Sequence, residues 1–211
     1  MKHRLFFTFA ITFLFLLGFT ACDNANKEAD SQEQEESITT ADETGEWRSI
    51  KPNEIGDVID LLHHDGMALA AGKEGDMNTM TIGWGDLGVL WGKPIFTVYV
   101  STDRYTNEFM QRYPYFTVMA LPERHHEALR YIGSHSGREG DKLTPAGLHA
   151  SFTALGNPIF DEANLAIECR TIYSHQFEAE KLDPDVRAFY ERTRLGRHVA
   201  YIGEIVNVWE K

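Results

Sequence analysis

Asn78-Thr79-Met80-Thr81-Ile82-Gly83-Trp84-Gly85-Asp86-Leu87-Gly88, continuing as Val89-Leu90-Trp91-Gly92-Lys93-Pro94, is the stretch that decides the fold. Gly83, Gly85 and Gly88 spell G-x-G-x-x-G behind a strand-like run, and Asp103 follows at the spacing of a dinucleotide-binding fingerprint. That fingerprint needs a helix opening at the third glycine, so that its N-terminus meets a pyrophosphate. Only Val89 to Lys93 lie between Gly88 and Pro94, and a new extended run begins at Ile95. No helix fits there. The motif is expected to be a glycine-rich turn beside a ligand, and a doubly wound parallel sheet is set aside.

Outward from this stretch, runs rich in β-branched and aromatic residues predict strands at Met67–Ala71, Met77–Trp84, Ile95–Ser101, Tyr115–Leu121, Leu165–Phe177 and His198–Trp209. Helical pieces are predicted at Thr106–Arg112, Glu123–Ile132 and Pro184–Thr193. Asn53 can cap a further short helix with Ile55, Val58, Ile59 and Leu62 on one face and Gly66 to end it. Long strands with few βαβ spacings point to a mainly β, α+β fold, an antiparallel sheet or barrel with peripheral helices.

The 211 residues carry a net charge of −12, with 43% hydrophobic and 25% charged residues, the balance of one ordinary folded domain. Lys+Arg 20 against Asp+Glu 32 leaves no basic surface for phosphates along a duplex, so nucleic acid is not expected as a partner. Lys2, His3 and Arg4 precede an apolar run from Leu5 to Ala21, the pattern of a signal peptide over residues 1–21. Cys22 directly after Phe19-Thr20-Ala21 resembles a bacterial lipobox, with Phe19 where Leu is usual, and an ordinary secretory peptide with an incidental Cys is the alternative. Lipidation of Cys22 would anchor the chain to a bacterial membrane, on its periplasmic or surface side. Residues 22–46 hold nine acidic residues against the single base Lys27 and read as a disordered, self-repelling tether. The folded domain is expected over 47–211.

The usual chemical signatures are missing. Two cysteines, Cys22 and Cys169, exclude a disulfide framework and a Cys-rich metal site. His63-His64 and His125-His126 are adjacent pairs whose members point apart on a helix, and His135, His149, His175 and His198 show no H-x-x-x-H spacing, so no metal site is expected. No G-x-S-x-G elbow occurs, and Cys169 sits mid-strand as a small hydrophobe.

Six segments nevertheless fall in a familiar order: Asp65 to Gly72, Asn78 to Gly85, Leu90 to Pro94, Arg104-Tyr105-Thr106, Ser136-Gly137-Arg138 with Asp141-Lys142, and Tyr201 to Ile205. Together they resemble the flavin reductase-like family of FMN-binding split barrels, in its flavoredoxin-like branch, from about Pro52 to Lys211. The resemblance implies a Greek-key split β-barrel with peripheral helices, a homodimer with FMN near the subunit interface, and electron transfer through the flavin between a small-molecule donor and acceptor.

FMN presents a flat ring with a polar edge, a hydroxylated chain and a phosphate. The resemblance places the ring against Asn78, Thr79, Met80 and Thr81, with Met80 and Trp84 giving apolar contact, although a Thr/Met-rich strand alone would read as packing. It places the phosphate at Arg104, Tyr105 and Thr106, with Lys142 as a second cation. Relatives often carry a basic residue and a proline before this motif, whereas Ser101-Thr102-Asp103 stand here, so Ser101 replaces a possible phosphate ligand with a hydroxyl. The flavin would carry the reaction, and no side chain is expected to act as catalytic acid or base. The alternative reading is a lipid-anchored module that binds flavin or another planar ligand without turnover.

Overall fold

The computed structural model describes residues 47–64 and 66–211. The signal peptide, the lipobox Cys22 and the tether lie outside the described residues.

In chain order come β1 (Arg48–Ser49), α1 (Val58–His64), β2 (Met67–Lys73), β3 (Asp76–Ile82), β4 (Gly85–Leu90) and β5 (Lys93–Ser101). They are followed by α2 (Tyr105–Arg112), β6 (Tyr115–Ala120), α3 (His126–Ser134), α4 (Leu143–Ala146), β7 (Ala150–Phe152), β8 (Pro158–Phe160), β9 (Leu165–Gln176), α5 (Pro184–Thr193) and β10 (His198–Glu210). Among the described residues the main sheet runs β3-β2-β6-β9-β10-β5-β4, with β1 added on β10, and every pairing in it is antiparallel. This is the expected mainly β, α+β architecture. Its hydrogen-bonded path ends at β3 and β4 and does not close.

Alternation within the strands builds the core on both sides of the sheet. Along β2, Met67, Leu69 and Ala71 join Phe96, Phe116 and Ile167 on the inner side. Ala68 and Ala70 turn the other way, toward Leu129 and Ile132 of α3 and Phe160 of β8. A strand buried on both faces shows a continuous apolar run rather than alternation, which is how 67–71 reads.

Two local expectations are corrected. Asp57, not Asn53, starts α1: its Oδ1 accepts from the Asp60 N–H at 3.1 Å, while Pro52–Glu54 form a separate 3-10 turn. Ile55 therefore lies outside the helix, half-buried, and Ile59 within it is 81% exposed while Val58 and Leu62 are buried. The glycine-rich motif is not a turn beside a ligand either. From Gly85 it is strand β4, zipped to β5 from Gly85↔Val98 to Leu90↔Lys93. The turn joining them is Trp91-Gly92, with φ of 53° and 73°, the doubly left-handed geometry of a two-residue hairpin.

The small β7–β8 hairpin stands on a buried carboxylate. Glu168 of β9 is fully buried and accepts from Thr153 Oγ1 at 2.5 Å, Asn157 Nδ2 at 2.7 Å and Asn207 Nδ2 at 2.6 Å. Three neutral donors replace the water that this carboxyl group loses on burial.

Candidate functional site

Strand β3 lies at one end of the sheet path and sends alternate side chains to opposite sides. Thr79 Oγ1 donates to the Leu69 carbonyl at 2.8 Å and Thr81 Oγ1 to the Leu129 carbonyl at 2.5 Å, so these hydroxyls tie β3 to β2 and α3. Asn78 faces α2 and donates from Nδ2 to Thr106 Oγ1 at 2.8 Å.

The start of α2 carries no side-chain cap and gathers positive groups. Its N-cap is Arg104, in extended conformation. The Asn107 N–H donates to the Arg104 carbonyl at 2.9 Å, which leaves the N–H groups of Tyr105 and Thr106 for solvent or a ligand, at the positive end of the helix dipole. Arg104 Nη1 donates to the Gly133 carbonyl at 2.9 Å, and Lys142 Nζ donates to the carbonyls of Ile132 at 2.9 Å and His135 at 3.1 Å. Both cations thus meet the carbonyl end of α3, where positive charge is favoured. Neither forms an ion pair with a carboxylate among the described residues. Lys142 is buried, and burial together with the charge of Arg104 pushes its pKa down to about 8.

Between these groups, walled by Asn78, Met80, Asp103 to Thr106, Gly137 and Lys142, with the Asp103 carboxylate turned to the Gly196 N–H at 2.7 Å, lies a cavity of about 110 Å³. At about 30 Å³ per water, that is room for a phosphate-sized group. Arg138 ties its two walls together: Nη2 donates to Glu108 at 2.5 Å, Nη1 to the Asp103 carbonyl at 3.3 Å, and the guanidinium lies 4.7 Å from the Tyr105 ring centroid. Gly137 packs so closely that a Cβ there would stand 2.1 Å from Asn78 Oδ1. An open groove of about 310 Å³, which Thr79 helps to line, adjoins the cavity across Asn78, Tyr105, Gly137 and Lys142.

The structure therefore gathers Asn78, Met80, Arg104, Tyr105, Thr106 and Lys142 around one cavity. It places Ser101 and Trp84 elsewhere. Ser101 Oγ donates to the Gly196 carbonyl at 3.2 Å, and the Trp84 ring packs tilted against His198 and Phe189, with centroids 4.6 Å and 6.2 Å away. His198 bonds the Tyr190 hydroxyl through Nδ1 at 2.9 Å, and burial, with the nearby charge of Arg104, holds its pKa below the usual value.

The flavin reductase-like domain family matches residues 64–211 of this chain. The chain belongs to that family. Curated proteins yield no match. As a flavin reductase-like domain, it is similar to a solved FMN-binding protein from Thermus thermophilus, at 25% identity and a TM-score of 0.55, over 69% of this chain and 71% of the other. It shares its fold with flavoredoxin from Methanosarcina acetivorans, at 23% identity and a TM-score of 0.55, over 69% and 68% of the two chains. The fold also extends to an NADH:FAD oxidoreductase from Streptomyces globisporus C-1027, at 18% identity and a TM-score of 0.51, over 69% and 74%.

Read for a flavin, the donor set fits. Two cations without an acid partner, an uncapped helix start and the Thr106 hydroxyl suit a dianionic phosphate. Sequence reasoning did not assign Ser136, Gly137 or Arg138 to the site. They belong to a segment of the resemblance, which was the available signal.

Proposed function

We propose that this domain binds FMN and passes electrons through it as an oxidoreductase of the flavin reductase type. The observation that carries the reading is the cavity at the start of α2, where Arg104 and Lys142 converge, each bonded to backbone carbonyls at the end of α3 rather than to a carboxylate. In this reading Arg104, Lys142, the Thr106 hydroxyl and the N–H groups of Tyr105 and Thr106 hold the phosphate. Asn78 orients the Thr106 hydroxyl, and Arg138 keeps the cavity walls together. Backbone groups of β3 and the Met80 side chain meet the ring. When bound, FMN supplies hydride acceptance from a reduced nicotinamide and onward electron transfer. The protein's part is to position the flavin and balance its charge.

The proposal extends to location and assembly. Cys22 and the acidic residues behind it support a lipid-anchored envelope protein on a tether. The uncovered edge of β4, with Val89 77% and Trp91 67% exposed, supports a homodimer. Nicotinamide is a cytosolic donor, so an exported chain would draw electrons from another carrier in the cell.

Arg104→Ala tests the binding mode. Loss of a charge-assisted phosphate contact costs about 1.5 to 3 kcal/mol, so FMN affinity should fall at least tenfold while riboflavin affinity holds. Equal losses for both ligands place Arg104 outside the phosphate site.

A further inference from the structure

Among the described residues that line the cavity at the start of α2, Asp103 is the only acid. It stands immediately before the N-cap, next to Arg104, and Lys142 lines the same cavity. The positive end of the helix and both cations attract a carboxylate into that space. The Asp103 carboxylate is nevertheless held outside it.

The hold comes from the loop between α5 and β10. Asp103 Oδ2 accepts from the Gly196 N–H at 2.7 Å. A Cβ on Gly196 would stand 2.6 Å from Asp103 Cγ, Oδ1 and Oδ2 alike, so the carboxyl lies flat against the glycine. Gly196 does not have the left-handed backbone found at seven other glycines, so the Asp103 contact, not its own conformation, is what a side chain there would disturb. The turn that carries Arg104 is fixed by other bonds. The Arg104 N–H donates to the Ser101 carbonyl at 3.0 Å and the Thr102 N–H to the Arg197 carbonyl at 3.0 Å. Ser101 Oγ donates to the Gly196 carbonyl at 3.2 Å, and Arg138 Nη1 to the Asp103 carbonyl at 3.3 Å. None of these bonds uses the Asp103 carboxylate, which can leave Gly196 without unmaking the turn.

We propose that Asp103 is the site's internal competitor for phosphate, and that its bond to the Gly196 amide keeps the cavity open to FMN. Parked on Gly196, the carboxylate leaves Arg104, Lys142 and the Tyr105 and Thr106 amides to a dianionic phosphate. Released, it turns into the cavity, takes those partners, and the site favours flavins that carry no phosphate. Asp103 is thus a specificity-determining residue, and this rests on the reading of the site as flavin-binding.

Gly196→Ala in the full chain forces the carboxylate off its amide. In fluorescence titrations, FMN affinity should fall roughly tenfold or more while riboflavin affinity stays within about threefold of wild type. Adding Asp103→Ala removes both the clash and the competitor, and FMN affinity should return to within about threefold of wild type. An unchanged FMN affinity, equal losses for the two flavins, or a loss that Asp103→Ala does not restore each overturn the proposal. If Gly196→Ala does not fold, Asp103→Ala alone decides. A preference for FMN over riboflavin that holds or rises supports the competitor, and a fall beyond about threefold shows Asp103 helping phosphate and overturns it. Should the wild-type chain bind neither flavin, the flavin reading fails by itself. Inorganic phosphate then judges the competitor, through the shifts it causes in the Tyr105 and Thr106 amide NMR signals. Phosphate binding weakened by Gly196→Ala and restored in the double variant supports it, and equal binding in all three chains, or none in the wild type, overturns it.

Discussion

Lys142→Met removes the buried charge of the cation pair while keeping an unbranched chain of similar length. Two terms set its effect on folding. The ammonium gives up its bonds to the Ile132 and His135 carbonyls, about 3 kcal/mol at the low end for two charged donors. Against this, a pKa of about 8 in place of 10.5 makes the charged form about 3 kcal/mol less favourable in the fold than in the unfolded chain. The terms nearly cancel, so the ligand-free variant should lose no more than about 2 kcal/mol. Binding has no such cancellation. FMN loses a charge-assisted contact of about 1.5 to 3 kcal/mol, roughly a 10- to 150-fold drop in affinity, whereas riboflavin should change by less than threefold. The pH dependence has a definite sign. In the wild type, the preference for FMN over riboflavin should be full while Lys142 is charged and should fall as pH rises above about 8, by up to tenfold per pH unit. In the variant that fall should vanish. Fluorescence titration of both flavins between pH 7 and 10, with thermal melts of the ligand-free chains, reads all of this. Equal losses for the two flavins, or the same pH profile with and without the lysine, refute the assignment of Lys142 to phosphate.

Other perturbations separate stability from binding. Glu168→Ala strands the donors of Thr153, Asn157 and Asn207 and should cost about 2 to 4 kcal/mol, seen as a lower melting temperature with FMN affinity of the folded fraction preserved. Gly137→Ala forces a Cβ into Asn78 Oδ1, so the cavity wall must move; FMN affinity should drop more than tenfold with a melting temperature within a few degrees of wild type. Cys22→Ser should release the chain from salt-washed membranes with its folded domain intact, and retention of the variant there contradicts the lipid anchor.

Much of the fold was legible because long strands announce themselves. The six runs read from β-branched and aromatic patterning end within two residues of the observed strands, and α5 spans Pro184–Thr193 as read. Strand β4 was hidden because Gly85 and Gly88 carry no strand signal of their own, and its conformation is imposed by pairing with β5. The short β7 and β8 depend on Glu168, a tertiary contact that no local pattern encodes. In the site, the motif residues could be found, but what they do to one another could not. That Lys142 reaches the end of α3, or that Asp103 meets Gly196 across 93 residues, follows only from the way the sheet brings distant loops together.

The central claim is that this domain holds FMN and carries electrons through it. Anaerobic mixing of the purified full chain loaded with FMN against excess NADH or NADPH, followed by absorbance of the oxidised flavin, tests it most directly. The account predicts a yellow protein whose flavin bleaches faster than free FMN under the same conditions. FMN that binds tightly yet is reduced no faster than free flavin by either nucleotide contradicts the reductase reading, and a chain that takes up no flavin contradicts the claim altogether.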